Sequence, residues 1–305
     1  RAEDAHAGWV THCIVPAATL PVVLTAGGGA DVRAWSLPHL TPTHTFVCGR
    51  ARVVALCVLS CPLPRVAGYF ACAATADRRV CVWALDDDST MYRQWTCAAD
   101  ITCLSVFPDC QTAEPPPRGQ GHDLPPAYVV AGTTTGTLVA WNFESGSLAT
   151  TATCHQNPVT CTLCMLAPTG LLPEGDSQRS SRVVAVSGAK DGAVCIHAVD
   201  TGAVLHYMPA AHTWVLALVQ TSDRAVVSAG REGELRRWDV VWGVCTHTLR
   251  GHKHMVRALH CAHAAGSEHI VSGGYDNMAR VWRIAAASAA AGESDRAHTH
   301  PRLPD

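Results

Sequence analysis

Short apolar runs separated by polar, glycine-containing turns recur through the whole 305-residue chain. The clearest example lies around Ser272-Gly273-Gly274-Tyr275-Asp276-Asn277, with Ile270 and Val271 leading in and Ala279 to Ile284 leading out. Two apolar runs around turn-forming residues predict a β-hairpin. Upstream, Gly251-His252 precedes a further apolar run from Met255 to Leu259.

This unit repeats. Aligned on the last residue of the second hairpin strand, the anchors are Trp35, Trp83, Trp141, His197, Trp238 and Trp282. The last two spacings fall near a period of about 40–45 residues, and the earlier ones are the same unit with insertions. Six residues before each anchor, in the turn, stand Gly29, Asp77, Thr135, Asp191, Glu232 and Asp276. Ten residues before stand Thr25, Ala73, Ala131, Ser187, Ser228 and Ser272. An apolar strand is predicted to open each unit: Trp9 to Val15, Val53 to Leu59, Ile101 to Val106, Val159 to Leu166, Trp214 to Val219 and Met255 to Leu259. A more polar run closes most of them: Thr43 to Cys48, Tyr92 to Cys97, Ser147 to Cys154, Ala203 to Met208 and Val244 to Arg250. Repeated four-stranded units arranged radially leave only short, protected sheet edges.

On these residues the chain resembles the WD-repeat β-propeller family. Gly251-His252, Ser272, Asp276 and Trp282 match the family pattern, and Trp238-Asp239 is its signature dipeptide. The resemblance implies an all-β propeller of four-stranded antiparallel blades over residues 1–284, with an Ala-rich tail or linker at 285–305. It also implies a structural hydrogen-bond network of His252, Ser272, Asp276 and Trp282, with His212, Ser228, Glu232 and Trp238 as a near-copy. His155, Ser187 and Asp191 form a third set, with His197 in place of Trp. The first repeat has His6 and Thr25, but Gly29 at the acid position and Asp31 two residues on. The second has Arg50 where His would stand, and the third has no His. These three are expected to rely on apolar packing and to have looser turns. Six repeats are visible, and the sixth lacks an evident fourth strand. Residues beyond Arg1–Asp305 are therefore expected to complete a seventh blade, because an unpaired edge is an aggregation hazard. The absence of an initial Met points to a fragment of a longer protein.

Composition narrows the function. The chain is 48% hydrophobic and 16% charged, with a formal net charge of -2. That supports a large core and gives no sign of a general nucleic-acid or membrane-surface binder. No apolar run reaches the roughly 18 residues of a membrane span. The 15 cysteines are an odd number and sit mostly in apolar runs, which indicates reduced thiols and a cytoplasmic or nuclear setting.

Chemistry-bearing motifs are few. Cys161-Thr162-Leu163-Cys164, near Cys154-His155, has zinc-like spacing. Residues three apart on a strand face opposite ways, so packed thiols are expected and no metal or cofactor is assigned. His252-Lys253-His254 and His298-Thr299-His300 read as structural or solvated histidines, and Asp86-Asp87-Asp88 as a solvated turn. Gly27-Gly28-Gly29 lacks the Lys-Ser/Thr tail of a phosphate loop. A Ser/His/Asp trio copied in several repeats argues for scaffolding rather than catalysis. Long loops at Ser60 to Gly68, Asp109 to Pro126 and Ala167 to Arg182 all join a first strand to a second, which would group them on one face. The residue before the turn acid becomes basic or aromatic in the second half of the chain. With the neighbouring strand starts, it defines an expected partner-binding rim: Lys190, Trp214, Arg231, His254 and Tyr275. Such a rim suits an acidic or phosphorylated peptide. The expected function is a non-catalytic scaffold for protein–protein interaction. The alternatives are the substrate-recognition subunit of a ubiquitin ligase, weakened by Val241 where Trp-Asp-x-Arg would place Arg, and an RNA-processing assembly factor, for which the charge predicts little nucleic-acid affinity.

Overall fold

The computed structural model describes residues 6, 8–16, 20–37, 39–61, 68–85, 90–109, 125–172, 183–209, 211–222, 224–264, 267–284 and 298–299. Among them every regular element is a strand. The chain divides into two compact units, Arg1–Thr153 with Val199–Gly202, and Cys154–Ala198 with Ala203–Asp305.

The first unit holds three sheets, each a simple antiparallel meander. Sheet one is β1 (Val10–Ile14), β2 (Val22–Gly27), β3 (Asp31–Ser36) and β4 (Pro42–Val47). Sheet two is β5 (Val53–Cys61), β6 (Gly68–Thr75), β7 (Arg79–Ala84) and β8 (Met91–Thr96). Sheet three is β9 (Ile101–Phe107), β10 (Tyr128–Thr133), β11 (Thr137–Asn142) and β12 (Leu148–Thr153). The second strands are built from small and β-branched residues, and Ala71, Cys72, Ala73 and Ala74 are all fully buried. Strands buried on both faces read as continuous apolar runs rather than alternating ones. The fourth strands face solvent and keep one deep anchor each, such as Phe46 and Trp95.

The second unit repeats the plan. Sheet four is β13 (Val159–Leu166), β14 (Val183–Ala189), β15 (Val194–Ala198) and β16 (Val204–Met208). Sheet five is β17 (Val215–Ser222), β18 (Ala225–Gly230), β19 (Glu234–Asp239) and β20 (Val244–Arg250). Sheet six is β21 (Val256–Ala264), β22 (Ser267–Gly274), β23 (Ala279–Ile284) and β24 (His298–Thr299). The sixth sheet does have a fourth strand: β24 pairs with β23 through Arg280 and Val281. It escaped the sequence because two polar residues beyond an Ala-rich stretch carry no strand pattern.

The repeat extends to register. Pairing slips by one residue where β5, β13, β17 and β21 begin, at Val53, Val159, Val215 and Val256. It slips again opposite five of the anchors, Trp35, Trp83, Trp141, His197 and Trp238. Bulges at fixed places bend each strand alike and increase local twist. The three long loops connect β5 to β6, β9 to β10 and β13 to β14. Most of their residues, together with Asp86-Asp87-Asp88 and most of the tail, lie outside the described residues.

Candidate interaction site

In sheets two to six the hairpin between the second and third strands turns the same way. In sheet five the Gly233 N–H bonds to the Gly230 carbonyl at 3.3 Å, and Gly233 has φ +87°. Gly136, Gly192, Asn277 and Arg78 hold the same place with positive φ. A turn that ends in a left-handed residue favours Gly or Asn, because a Cβ there is strained. The first turn residue is fixed by a backbone bond to the residue that precedes or opens the sheet. These bonds run from Lys190 N–H to Pro158 (3.0 Å), Arg231 N–H to Trp214 (3.1 Å) and Tyr275 N–H to Met255 (2.9 Å).

These bonds place the rim residues. Trp214 is half-buried, and its ring lies under two cations: Arg231 Cζ at 4.4 Å from the ring centroid and Lys190 Nζ at 5.2 Å. Such cation–π contacts hold both side chains over the ring face. Among the described residues, no ion pair engages either cation. His254 is exposed on the segment entering sheet six, and Tyr275 is 63% exposed on its hairpin turn. A Cβ on Gly233 would lie 2.6 Å from the His252 carbonyl oxygen and 3.0 Å from that of His254, so this turn seats directly on that segment. The structure thus joins Lys190, Trp214 and Arg231 through one ring, with His254 and Tyr275 exposed on the adjoining sheet.

The networks beneath the rim are continuous. In sheet six the Trp282 indole N–H donates to Ser272 Oγ at 2.8 Å, and Ser272 Oγ lies 2.7 Å from His252 Nε2. His252 Nδ1 lies 2.9 Å from Asp276 Oδ1. Asp276 also accepts the Lys253 and Met278 backbone N–H groups. Burial pushes the Asp276 carboxyl up, but these donors outweigh it and hold the group below its ordinary range. Sheet five repeats the chain through Trp238, Ser228, His212 and Glu232. Glu232 is likewise pushed up by burial and, on balance, held low by His212 and the Thr213 N–H.

The other sheets use different means. In sheet one His6 and Trp35 both bond to Thr25, and Asp31 approaches His6 to 3.5 Å, although it stands two residues from the usual acid. Trp83 packs on Phe46 and Trp141 on Trp95, with ring centroids 5.6 and 5.7 Å apart. The turns of sheets two and three are nonetheless tied. Asp77 binds Thr75 and Arg79, and Thr133, Thr135 and Thr137 bond to one another. Short side-chain bonds within the turn replace the missing histidine.

Sheet four has a cluster that spacing in the sequence did not reveal. Cys154 Sγ lies 3.1 Å from His197 Nε2. Donor atoms of Cys154, His155 and Cys195 all lie within 4.8 Å of one another. The Cys195 thiol, with His155 and His197 alongside, holds the Cys154 thiol well below its usual range, while the same contact pushes Cys195 up. Cys161 points instead at the Gly188 carbonyl. The signal lay in Cys154-His155 and in Cys195-x-His197, a pair two apart on one strand face.

A sequence profile for the WD40 repeat, "WD domain, G-beta repeat", matches residues 243–283. Over 64 residues, 21% of this chain, the sequence is 45% identical to nuclear distribution protein PAC1-2 of Uncinocarpus reesii (strain UAMH 1704), and the match covers 14% of that protein. Among solved structures, the computationally designed Ika8 protein is similar over 92% of this chain and 72% of its own, with a TM-score of 0.66 and 22% identity. The WD40 β-propeller domain of Doa1 is similar over 91% of this chain and 79% of its own, with a TM-score of 0.64 and 17% identity. At these identities the structural likeness concerns the fold.

Proposed function

The chain is a WD-repeat β-propeller, and from that premise we propose that it acts without catalysis, as a scaffold whose rim holds an acidic or phosphorylated segment of a partner protein. Propellers of this kind generally serve as protein-binding platforms. The observation that carries the reading is the Trp214 ring with Lys190 and Arg231 over it. Two like charges on one half-buried ring repel each other, and an anion placed between them relieves the repulsion. Arg adds a planar fork that matches a carboxylate or phosphate. Tyr275 extends the surface with a residue type enriched in binding hot spots, and the exposed His254 lies on the segment entering the same sheet.

The His–Ser–Asp sets do not favour hydrolysis. Ser272 and Ser228 are buried, and each hydroxyl is shared between an indole N–H and an imidazole. A nucleophile needs an open side facing its substrate, and these have none. Cys48, Cys72, Cys81 and Cys195 are buried free thiols, in keeping with work in a reducing compartment.

The test is binding to an array of phosphothreonine and poly-acidic peptides. Arg231→Glu and Trp214→Ala should each weaken the best binder by tenfold or more, whereas Arg224→Glu, exposed elsewhere on sheet five, should not. Equal binding by wild type and Arg231→Glu overturns the assignment.

A further inference from the structure

Sheet four departs from sheets five and six at three places that meet. In the latter two the anchors are Trp238 and Trp282, and the residues two before them are Arg236 and Arg280. Sheet four has His197 and Cys195, both buried and on one face of β15. Ahead of the repeated histidine, sheets five and six carry Ala211 and Gly251, whereas sheet four carries Cys154 before His155. The three replacements bring two thiols and a second imidazole to one point. Cys154 Sγ is 3.1 Å from His197 Nε2, and the donor atoms of Cys154, His155 and Cys195 lie within 4.8 Å of one another. Both imidazoles turn Nε2 to the same spot: Ser187 Oγ is 2.9 Å from that of His155 and 3.3 Å from that of His197. Behind the cluster, Asp191 holds His155 Nδ1 at 3.1 Å, the outer carboxylate that metal-bound histidines usually have. His197 Nδ1 is buried without a hydrogen-bond partner, a defect that a tryptophan in the same slot does not incur.

Sheet two serves as an internal comparison. Cys48 and Cys81 occupy the places of Cys154 and Cys195, each of Cys48 and Cys154 following the last residue of a closing strand. There the anchor is Trp83, and residues 48–52 contain no histidine. Burial raises those thiols to about 12 for Cys48 and about 11 for Cys81, so they remain packed hydrophobic groups. Only sheet four adds imidazoles to the same thiol pair.

We infer that Cys154, Cys195, His155 and His197 form a closed tetrahedral site for a zinc-type divalent cation. Two thiolates and two imidazoles are a structural zinc set, and soft sulfur ligands disfavour magnesium and calcium. With metal–ligand bonds of about 2.0–2.3 Å, neighbouring donors in such a site stand about 3.3–3.8 Å apart. Cys154, His155 and Cys195 need to contract by about an ångström, and His197, already 3.1 Å from Cys154, must also swing toward the other two donors by side-chain rotation. On binding, the two cysteine S–H protons pass to solvent as the metal–sulfur bonds form. The Nε2 lone pairs supply the other two bonds, and Ser187 gives up its contacts to them.

The test uses the full chain, reduced and stripped with a chelator, then titrated with cobalt(II) and afterwards zinc(II). About one equivalent of cobalt should bind, with the visible bands of tetrahedral coordination and a sulfur-to-cobalt charge-transfer band, and zinc should displace it. Cys195→Ser and His197→Trp should abolish these bands, whereas Cys81→Ser and Cys161→Ser should keep them. His197→Trp installs the anchor that sheets five and six already carry, so the fold is retained while a ligand is lost. Absence of the bands in the wild type, or their survival in both Cys195→Ser and His197→Trp, overturns the site. So does an intact mass short by two hydrogens that assigns a disulfide between Cys154 and Cys195.

Discussion

Ser272→Ala isolates what one hydroxyl does inside sheet six. Ser272 is 1% exposed and touches two buried partners, the Trp282 indole N–H at 2.8 Å and His252 Nε2 at 2.7 Å. Because Nδ1 of His252 faces the Asp276 carboxylate, it carries the ring proton, and Nε2 accepts from the serine. Removing Oγ opens almost no cavity but leaves one donor and one acceptor unpaired in the core. Each such group costs about 1–3 kcal/mol, so the variant should lose about 2–6 kcal/mol. Urea unfolding followed by tryptophan fluorescence should show a lower midpoint with an unchanged slope. The double variant Ser272→Ala/Trp282→Phe supplies the control, since it removes the indole donor along with its acceptor. Its loss should fall short of the sum of the two single losses by about 1 kcal/mol or more. A Ser272→Ala loss below about 0.5 kcal/mol, or strict additivity in the double variant, would refute the network as a source of stability.

Two further outcomes follow from the same sites. Asp276 and Glu232 are held below their ordinary values of 3.8 and 4.5, so their contribution is complete above that range and is lost as pH falls through the lower folded-state values. Unfolding midpoints measured from pH 7 to pH 3 should fall steeply at the acid end, and Asp276→Asn should flatten that limb while lowering the neutral plateau. Gly192 has φ +80°, and a Cβ there overlaps the His212 carbonyl oxygen, so Gly192→Ala should cost about 1–3 kcal/mol in the same unfolding assay.

Much of this architecture was readable because it is written six times. The anchors and the residues ten positions earlier share one spacing, and the register slips recur at matching valines, so a single legible hairpin located the others. The polar networks of sheets five and six were equally plain, since each uses the residue types that a buried indole and imidazole require. Where a repeat substitutes another device, spacing gives no warning. Asp31 reaches His6 from a shifted position, and Asp77 is held by Arg79 and Thr75 instead of a histidine. The two-residue β24 has no apolar alternation to announce it. The contact of Lys190 and Arg231 with one ring depends on side-chain direction across two neighbouring hairpins, which a linear pattern does not encode. The Cys154 cluster stayed hidden for a related reason. Its members come from a linker and a strand some forty residues apart, whereas Cys161-x-x-Cys164 drew attention by proximity alone.

The seating of each hairpin turn on the start of the following sheet has a mechanical meaning. Gly192 presses on the His212 carbonyl, and Gly233 on that of His252, so within Cys154–Ala198 and Ala203–Asp305 no sheet can shed its turn without loosening the histidine that anchors the next. Stability in such an array is shared between nearest neighbours rather than owned by each module. Sheets four, five and six should therefore melt together, and a lesion at one turn should travel down the row like a dropped stitch.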